Sequence, residues 1–455
     1  MNQTIALPIW AFVLILLFAA VTFASHFLFP SVRWFFRKRA ERVVARVNER
    51  LQRPIEPFKL AKRYDMIQRL IYDPEIAEAI VEHARSNDVP ENVAFETAQR
   101  YAREIVPSFS ATMYFSVGMR LAKWISRSFY RIRLGSFDRE ALEALDQDAT
   151  IVFIMNHRSN MDYVLVTYLV SRAGALSYAV GEWARVWPLS SMIKMMGAYF
   201  IRRKSRGLLY RKVLARYVQM ATTGGVTQAI FPEGGLSLTG AVGAPKLGLL
   251  SYIIAGTKPG GREVIFVPVG LNYDRVLEDR FLVAAGVSGK RKFRPPLMTM
   301  VRGIWAYLID RYTKRLRGFG AASVGFGTPL RLSDIPGDDP ELRTQVVADA
   351  LMLRIQAVVP VLATPLVAHV LLNDGAMSRD DLAKGVTARL EQLRTKDMPL
   401  PRKEVGALVE DTLKPLLARD LVAEEEGTVC ITDDGRGVIA FYANSIAHHF
   451  SASAK

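Results

Sequence analysis

A single cysteine, Cys430, is all that this chain of 455 residues contains. No internal disulfide can form, which excludes a disulfide-stapled extracellular fold and fits a reducing, cytosol-facing location. Histidine is scarce too, with six residues. His448 and His449 are adjacent, His26 and His83 stand alone, and there is no HExxH or Cys–His cluster, so no metal site is expected. Internal repeats and low-complexity linkers are also missing. The longest absence is of charge: Ile5 to Phe29 holds no Asp, Glu, Lys or Arg.

That uncharged stretch, "IALPIWAFVLILLFAAVTFASHFLF", is long enough at about 1.5 Å per residue to cross a hydrocarbon core of about 30 Å. Eight cations follow between Arg33 and Arg53, against only Glu41 and Glu49. By the positive-inside rule the remainder of the chain then lies in the cytoplasm. A cleaved signal peptide would carry its basic residues before the apolar stretch. An apolar helix lying in the interface is the other alternative. Half of the residues are hydrophobic, which excludes global disorder, and the net charge of +16 suits an anionic partner such as a membrane surface, nucleic acid or a phosphorylated substrate.

Residues from about 57 to 135 read as helical, with Asp73-Pro74 as a helix start and Asn87 to Pro90 as a break. Within them, Met113 to Arg133 mixes apolar and basic residues, as a helix on a bilayer surface or one buried against the next domain would. From 150 the pattern changes to short apolar runs, "TIVFIM", "GAYFIRR", "VTQAIFPEGG" and "EVIFVPVGLN", separated in part by helical stretches. The expected fold is α/β, a mostly parallel sheet flanked by helices, with an N-terminal transmembrane helix and helical N- and C-terminal regions. The divisions are 1–30 for the anchor, 31–145 for a basic juxtamembrane and helical region, 146–335 for the α/β domain and 336–455 for a mainly helical C-terminal domain. Near its end, "KEVGALVEDTLKPLLARDLV" and the acidic "AEEEGTVCITDDG" read as a helix and a hairpin, somewhat like a winged helix. The hairpin's charge disfavours nucleic acid. Residues 287–318 are strongly basic with interleaved aromatics, which favours a lipid surface.

In a parallel sheet, functional groups gather at the carboxyl ends of strands. After "TIVFIM" comes Asn156-His157-Arg158-Ser159-Asn160-Met161-Asp162. With His157 in a loop and Asp162 in the first turn of the following helix, the carboxylate can accept the imidazole N–H and fix its tautomer, the pairing of a general base with its orienting group. After "GAYFI" come Arg202, Arg203 and Lys204, able to hold a phosphate or simply a solvated charge run. Phe231-Pro232-Glu233-Gly234-Gly235 offers glycines that let a ligand approach the backbone, or a plain turn. Val267-Pro268-Val269 alone indicates an edge strand or a strand end.

Taken in that order, H-x4-D, a strand-end arginine pair, F-P-E-G and V-P-V resemble the four motifs of the glycerolipid acyltransferases. "HRSNMDYVL", "GAYFIRR", "FPEGGLSLTG…PKLGLL" and "VPVGLNYDRV" point to the bacterial membrane-bound glycerol-3-phosphate acyltransferase branch. The likeness extends to "YDPEIAEAIVEHA", "AQRYAREI" and "IAFYANSIAHHF" and covers most of the chain after about residue 60.

The resemblance implies an acyl transfer from acyl-CoA or acyl carrier protein to glycerol 3-phosphate, with no cofactor and no metal. It casts His157 as general base and Asp162 as its support. Arg202, Arg203, Glu233, Gly234, Gly235 and Lys246 would bind the glycerol phosphate. The implied setting is the inner (plasma) membrane, single-pass, with the catalytic domain cytoplasmic. Two features depart from the pattern. Leu236 and Leu238 stand where the family commonly has arginines, and F-P-E-G is the spelling more usual in the lysophosphatidate branch. Acylation of lysophosphatidate, or a non-catalytic membrane-binding module, are the alternatives.

Overall fold

The computed structural model describes residues 8–49, 51–136, 139–170, 174–181, 185, 189–202, 207–258, 260–289, 319–396 and 398–451. The expected Arg203 contact and most of the basic region 287–318 lie outside them.

Eight strands form one sheet: β1 (Arg131–Leu134), β2 (Thr150–Met155), β3 (Ser177–Val180), β4 (Tyr199–Phe200), β5 (Gln228–Ile230), β6 (Val264–Tyr273), β7 (Ala321–Phe326) and β8 (Leu330–Arg331). Their order is β1-β7-β6-β2-β5-β3-β4, with β8 also on β6. Strands β2 to β6 run parallel, while β7 and β8 pair antiparallel with β6, and β1 follows β7. The mostly parallel α/β sheet is therefore present, with β2 at its centre.

Strand β2 is buried on both faces, as its unbroken apolar sequence requires. Ile151, Phe153 and Met155 enter one core with the helices Met119–Phe129, Met161–Val170, Ala363–Asp374 and Arg436–Asn444. Val152 and Ile154 enter the other, with the helices Arg63–Ile71, Pro74–Ser86, Glu91–Ile105, Leu208–Thr223, Gly248–Ala255 and Pro340–Val358. The C-terminal region thus contributes to both layers. The end of Pro340–Val358 lies directly on the sheet at Gly270 and Gly325, which face each other across β6 and β7. A Cβ at either would come within 2.4 or 2.3 Å of the Val358 carbonyl oxygen.

Asp73 caps Pro74–Ser86 by accepting from the Glu75 N–H, and the next helix begins at Glu91, beyond the expected break. The expected C-terminal helix and hairpin are Val405–Leu417 and β10–β11 (Val422–Glu425, Thr428–Ile431), the hairpin joined by β9 (Met377–Ser378).

Two expectations are corrected. Residues 131–134, in the stretch read as helical, form β1, because their partner β7 is remote in sequence and leaves no local signal. Pro268 sits within β6, an interior strand, and not at an edge. The Pro268 carbonyl accepts from Gly327 N–H, so its missing N–H faces the same side, where β8 pairing has ended at Phe266 and β7 begins at Val269. The apolar N-terminus belongs to one continuous helix, Ile9–Asn48, that also carries the basic residues. Among the described residues no single helix is long and apolar enough to cross a membrane, the apolar part being Ile9–Ala20.

Candidate active site

Strand β2 ends where Asn156 turns its side chain onto β6, donating to the Leu271 carbonyl and accepting from the Leu271 N–H at 3.0 and 2.7 Å. The amide satisfies the β6 backbone just where β2 leaves the sheet, and this releases the next residues into a loop. His157 Nδ1 then meets Asp162 Oδ2 at 2.9 Å, both side chains buried. Asp162 stands in the first turn of Met161–Val170, a favourable place for a carboxylate. Ser159 caps that helix through Met161 N–H.

The carboxylate is fully engaged. Its Oδ2 also accepts from the backbone N–H groups of Arg158 and Ser159 at 2.7 and 3.0 Å, and its Oδ1 accepts from Tyr273 Oη at 2.6 Å. These contacts fix Asp162, which in turn holds the imidazole with Nδ1 inward. That leaves Nε2 as the ring nitrogen for an acceptor hydroxyl. The ring stacks on Phe231, centroids 3.9 Å apart, with Tyr163 edge-on at 5.4 Å.

Glu233 supports the same loop. Its two carboxylate oxygens accept from His157 N–H at 2.8 Å and Gly243 N–H at 3.0 Å. Burial raises the Glu233 carboxyl above its ordinary value, against the pull of those bonds. The structure therefore places Glu233 as a brace between two loops. Gly234 takes a positive φ of 66°, and the Lys246 stem crosses it so closely that a Cβ would lie 2.7 Å from Lys246 Cδ. Lys246 is exposed and has no ion pair among the described residues.

Arg202 lies beyond β4, three strand spacings or about 14 Å along the sheet from β2. It donates from Nε and Nη2 to Glu104 at 2.8 and 2.6 Å, and Arg185 reaches the same carboxylate at 2.7 Å. Burial would raise Glu104, but the two arginines hold it below its ordinary range. Leu236 and Leu238 pack against the apolar core, so the loop that carries them offers no cation there.

Sequence reasoning missed three contributors. Tyr273 was findable, since Val267, Val269, Leu271 and Tyr273 alternate onto the face that carries the dyad. Glu278, buried and raised by burial, holds Ser159 Oγ and Asn160 N–H from a loop with no local signal. Arg158 is fully buried, donates from Nη1 to Gly240 O and lies 4.6 Å from the Phe441 ring centroid, while its Nε and Nη2 have no partner.

Comparison with known proteins agrees with this architecture. The family model "Acyltransferase" matches residues 137–272, and "Glycerol-3-phosphate acyltransferase C-terminal region" matches 308–454, together over half of the chain. The chain belongs to the glycerolipid acyltransferases, in the glycerol-3-phosphate acyltransferase branch. It is 30% identical over 444 residues to the glycerol-3-phosphate acyltransferase of Shewanella amazonensis, covering 90% of this chain and 53% of that one. With the enzyme of the same name from Shewanella loihica it shares 29% over 442 residues, 89% and 52% of the two chains. The chain spans about half the length of these curated relatives. A solved structure, the 1-acyl-sn-glycerophosphate (LPA) acyltransferase PlsC from Thermotoga maritima, is similar with 18% identity and a TM-score of 0.32, over 54% of this chain and 78% of that one.

Proposed function

We propose that the protein transfers a fatty acyl group from a thioester, acyl-CoA or acyl carrier protein, to a hydroxyl of glycerol 3-phosphate. The observation that carries this reading is the His157–Asp162 pair at the carboxyl end of the central strand, with Asp162 closed by three further donors. His157 Nε2 takes the acceptor's hydroxyl proton as the oxygen attacks the thioester carbonyl. The tetrahedral intermediate collapses, the C–S bond breaks, and the thiolate leaves and is protonated. Asp162 supports the imidazolium formed in the first step. No acyl-enzyme is needed, because the base acts on the acceptor. Lys246, exposed beside Gly234 and without an ion pair among the described residues, supplies positive charge for the acceptor phosphate.

The protein is read as membrane-bound through its N-terminal helix, single-pass in the inner membrane with the catalytic domain in the cytoplasm. Exposed Ile9, Trp10 and Phe18 on that helix, 83%, 68% and 75% accessible, support a lipid partner. Lysophosphatidate is the second reading for the acceptor, favoured by Leu236 and Leu238, which leave the loop without the cations a small dianionic substrate would use.

The test offers detergent- or liposome-borne protein a labelled long-chain acyl thioester with each acceptor separately. Lysophosphatidate formed from glycerol 3-phosphate supports the first reading. Phosphatidate formed only from lysophosphatidate replaces it with the second, and transfer to neither refutes both.

A further inference from the structure

The helix Met119–Phe129 has two unlike faces. Ala122, Ser126 and Phe129 are buried, and the helix packs on Met161–Val170, which carries Asp162 in its first turn. Arg127 reaches over that neighbour, 5.8 Å from the Tyr168 ring. The outer face is apolar and bare. Leu121 and Trp124 are 37% and 52% accessible, and Val117, one turn earlier, is 45% accessible. Spaced by four and three residues, these side chains form one stripe. Arg120, Lys123 and Arg127 run along its flank. All three are exposed, and none forms an ion pair among the described residues.

The sequence around this helix carries charge of one sign. No acid stands between Glu104 and Asp138, whereas Arg120, Lys123, Arg127, Arg131 and Arg133 do. Burial against a neighbour accounts for one face of the stretch and leaves the other. Tryptophan in an exposed apolar stripe, with cations beside it, is the composition of a helix at the boundary of a bilayer. The same stretch meets the N-terminal helix. Val44 and Val47, in the last turns of Ile9–Asn48, and Leu51 pack with Phe115 and Met119. The bare stripe therefore starts beside the point where the apolar helix leaves the body. About 16 Å of helix separates Val44 from Arg33, the first cation after the uncharged run.

We propose that the outer face of Met119–Phe129 is a second membrane contact. It docks on an anionic phospholipid surface, with Val117, Leu121 and Trp124 in the apolar boundary and Arg120, Lys123 and Arg127 at the headgroup phosphates. Nearness to the bilayer rests on the reading of the N-terminal helix above; the acyl-transfer reading is not needed. Charge selects lipid over a second copy of this chain. The protein carries +16, so two copies of one cationic face repel, while an anionic surface attracts it. Docking holds Met161–Val170, and the dyad with it, one helix away from the bilayer that receives an acylated product.

Cys430 is the only cysteine, so Cys430→Ser leaves the full-length chain free for a single label. Trp124→Cys in that background takes an environment-sensitive fluorophore. Lys384→Cys, at an exposed cation on Arg379–Arg394, is the control, and Phe18→Cys reads the N-terminal helix. Each protein is floated with vesicles of phosphatidylglycerol and phosphatidylcholine, part of whose acyl chains carry a bromine or nitroxide quencher. The label at 124 should shift to the blue and be quenched, and the label at 384 should do neither. High salt, vesicles of phosphatidylcholine alone, or Arg120→Glu/Lys123→Glu/Arg127→Glu should each remove most of the quenching at 124. An unquenched label at 124 on protein that floats overturns the proposal. So does a blue shift that needs no lipid and grows with protein concentration, the mark of a second copy. Quenching at 124 that ignores both lipid charge and charge reversal overturns the assignment to an anionic surface. Failure of the N-terminal reading is seen separately, as an unquenched label at 18 beside a quenched one at 124.

Discussion

Replacing Asp162 by asparagine and by alanine separates its two contributions, charge and acceptor geometry. Three N–H groups converge on Oδ2, those of His157 Nδ1, Arg158 and Ser159, whereas Oδ1 takes only the Tyr273 hydroxyl. An asparagine can put its oxygen at the Oδ2 position and keep all three N–H donors. Its amide then faces Tyr273, whose hydroxyl can turn to accept. The imidazole tautomer survives and only the negative charge is lost. A hydrogen bond to a charged partner contributes about 1.5–3 kcal/mol, so kcat should fall about 10- to 150-fold with little loss of stability. Alanine removes the acceptor altogether. Two backbone N–H groups and a tyrosine hydroxyl are then buried without partners, at about 1–3 kcal/mol each. Activity should vanish, and stability should drop by about 3–9 kcal/mol, a large part of what a domain has. The assay pairs acyl-transfer kinetics with urea unfolding of both variants. Equal activity loss in the two, with unfolding midpoints unchanged from the parent protein, would refute the reasoning.

Arg158→Met should lower kcat about tenfold through loss of its tie to Gly240 and Phe441, yet leave thermal stability unchanged or raised, since it removes a buried charge with two unpaired donors; a melting point well below the parent's would contradict this. Gly240→Ala should loosen the C-terminal region by more than about 2 kcal/mol, because φ is 88° and a Cβ would lie 1.8 Å from the Phe441 carbonyl oxygen; limited proteolysis that still spares the C-terminal region would count against it. Burial holds His369 down to about 4 and His448 to about 3. The unfolded chain takes up protons below about 6.5 that the fold refuses, so stability is complete above that pH and falls on acidification toward 4, by up to about 1.4 kcal/mol per pH unit for each histidine. Urea midpoints should fall from pH 7 to 5, less steeply in His369→Phe, and a flat profile contradicts the assignment.

Much of the site was legible because its parts are local. H-x4-D spans one loop and one helical turn, and each apolar run ending in polar residues announced a buried strand and its carboxyl end. What escaped was set by long-range packing. Strand β1 is specified by its pairing with β7, and Glu278 reaches the loop that carries His157 from far along the chain. Pro268 misled because a gap between two partner strands can substitute for an edge. Glu233 looked like a ligand-binding group, whereas both of its oxygens are taken by backbone N–H groups. The anchor expectation was compositional. The structure describes it as the first part of a helix that continues through Asn48.

The most direct test of the account is the His157→Ala variant, assayed with a labelled acyl thioester and glycerol 3-phosphate beside the parent protein. The account predicts that transfer is lost while the circular dichroism spectrum and unfolding midpoint stay near those of the parent. Near-normal transfer by the variant would contradict it, because among the described residues no other group at the end of β2 is placed to take the acceptor's proton.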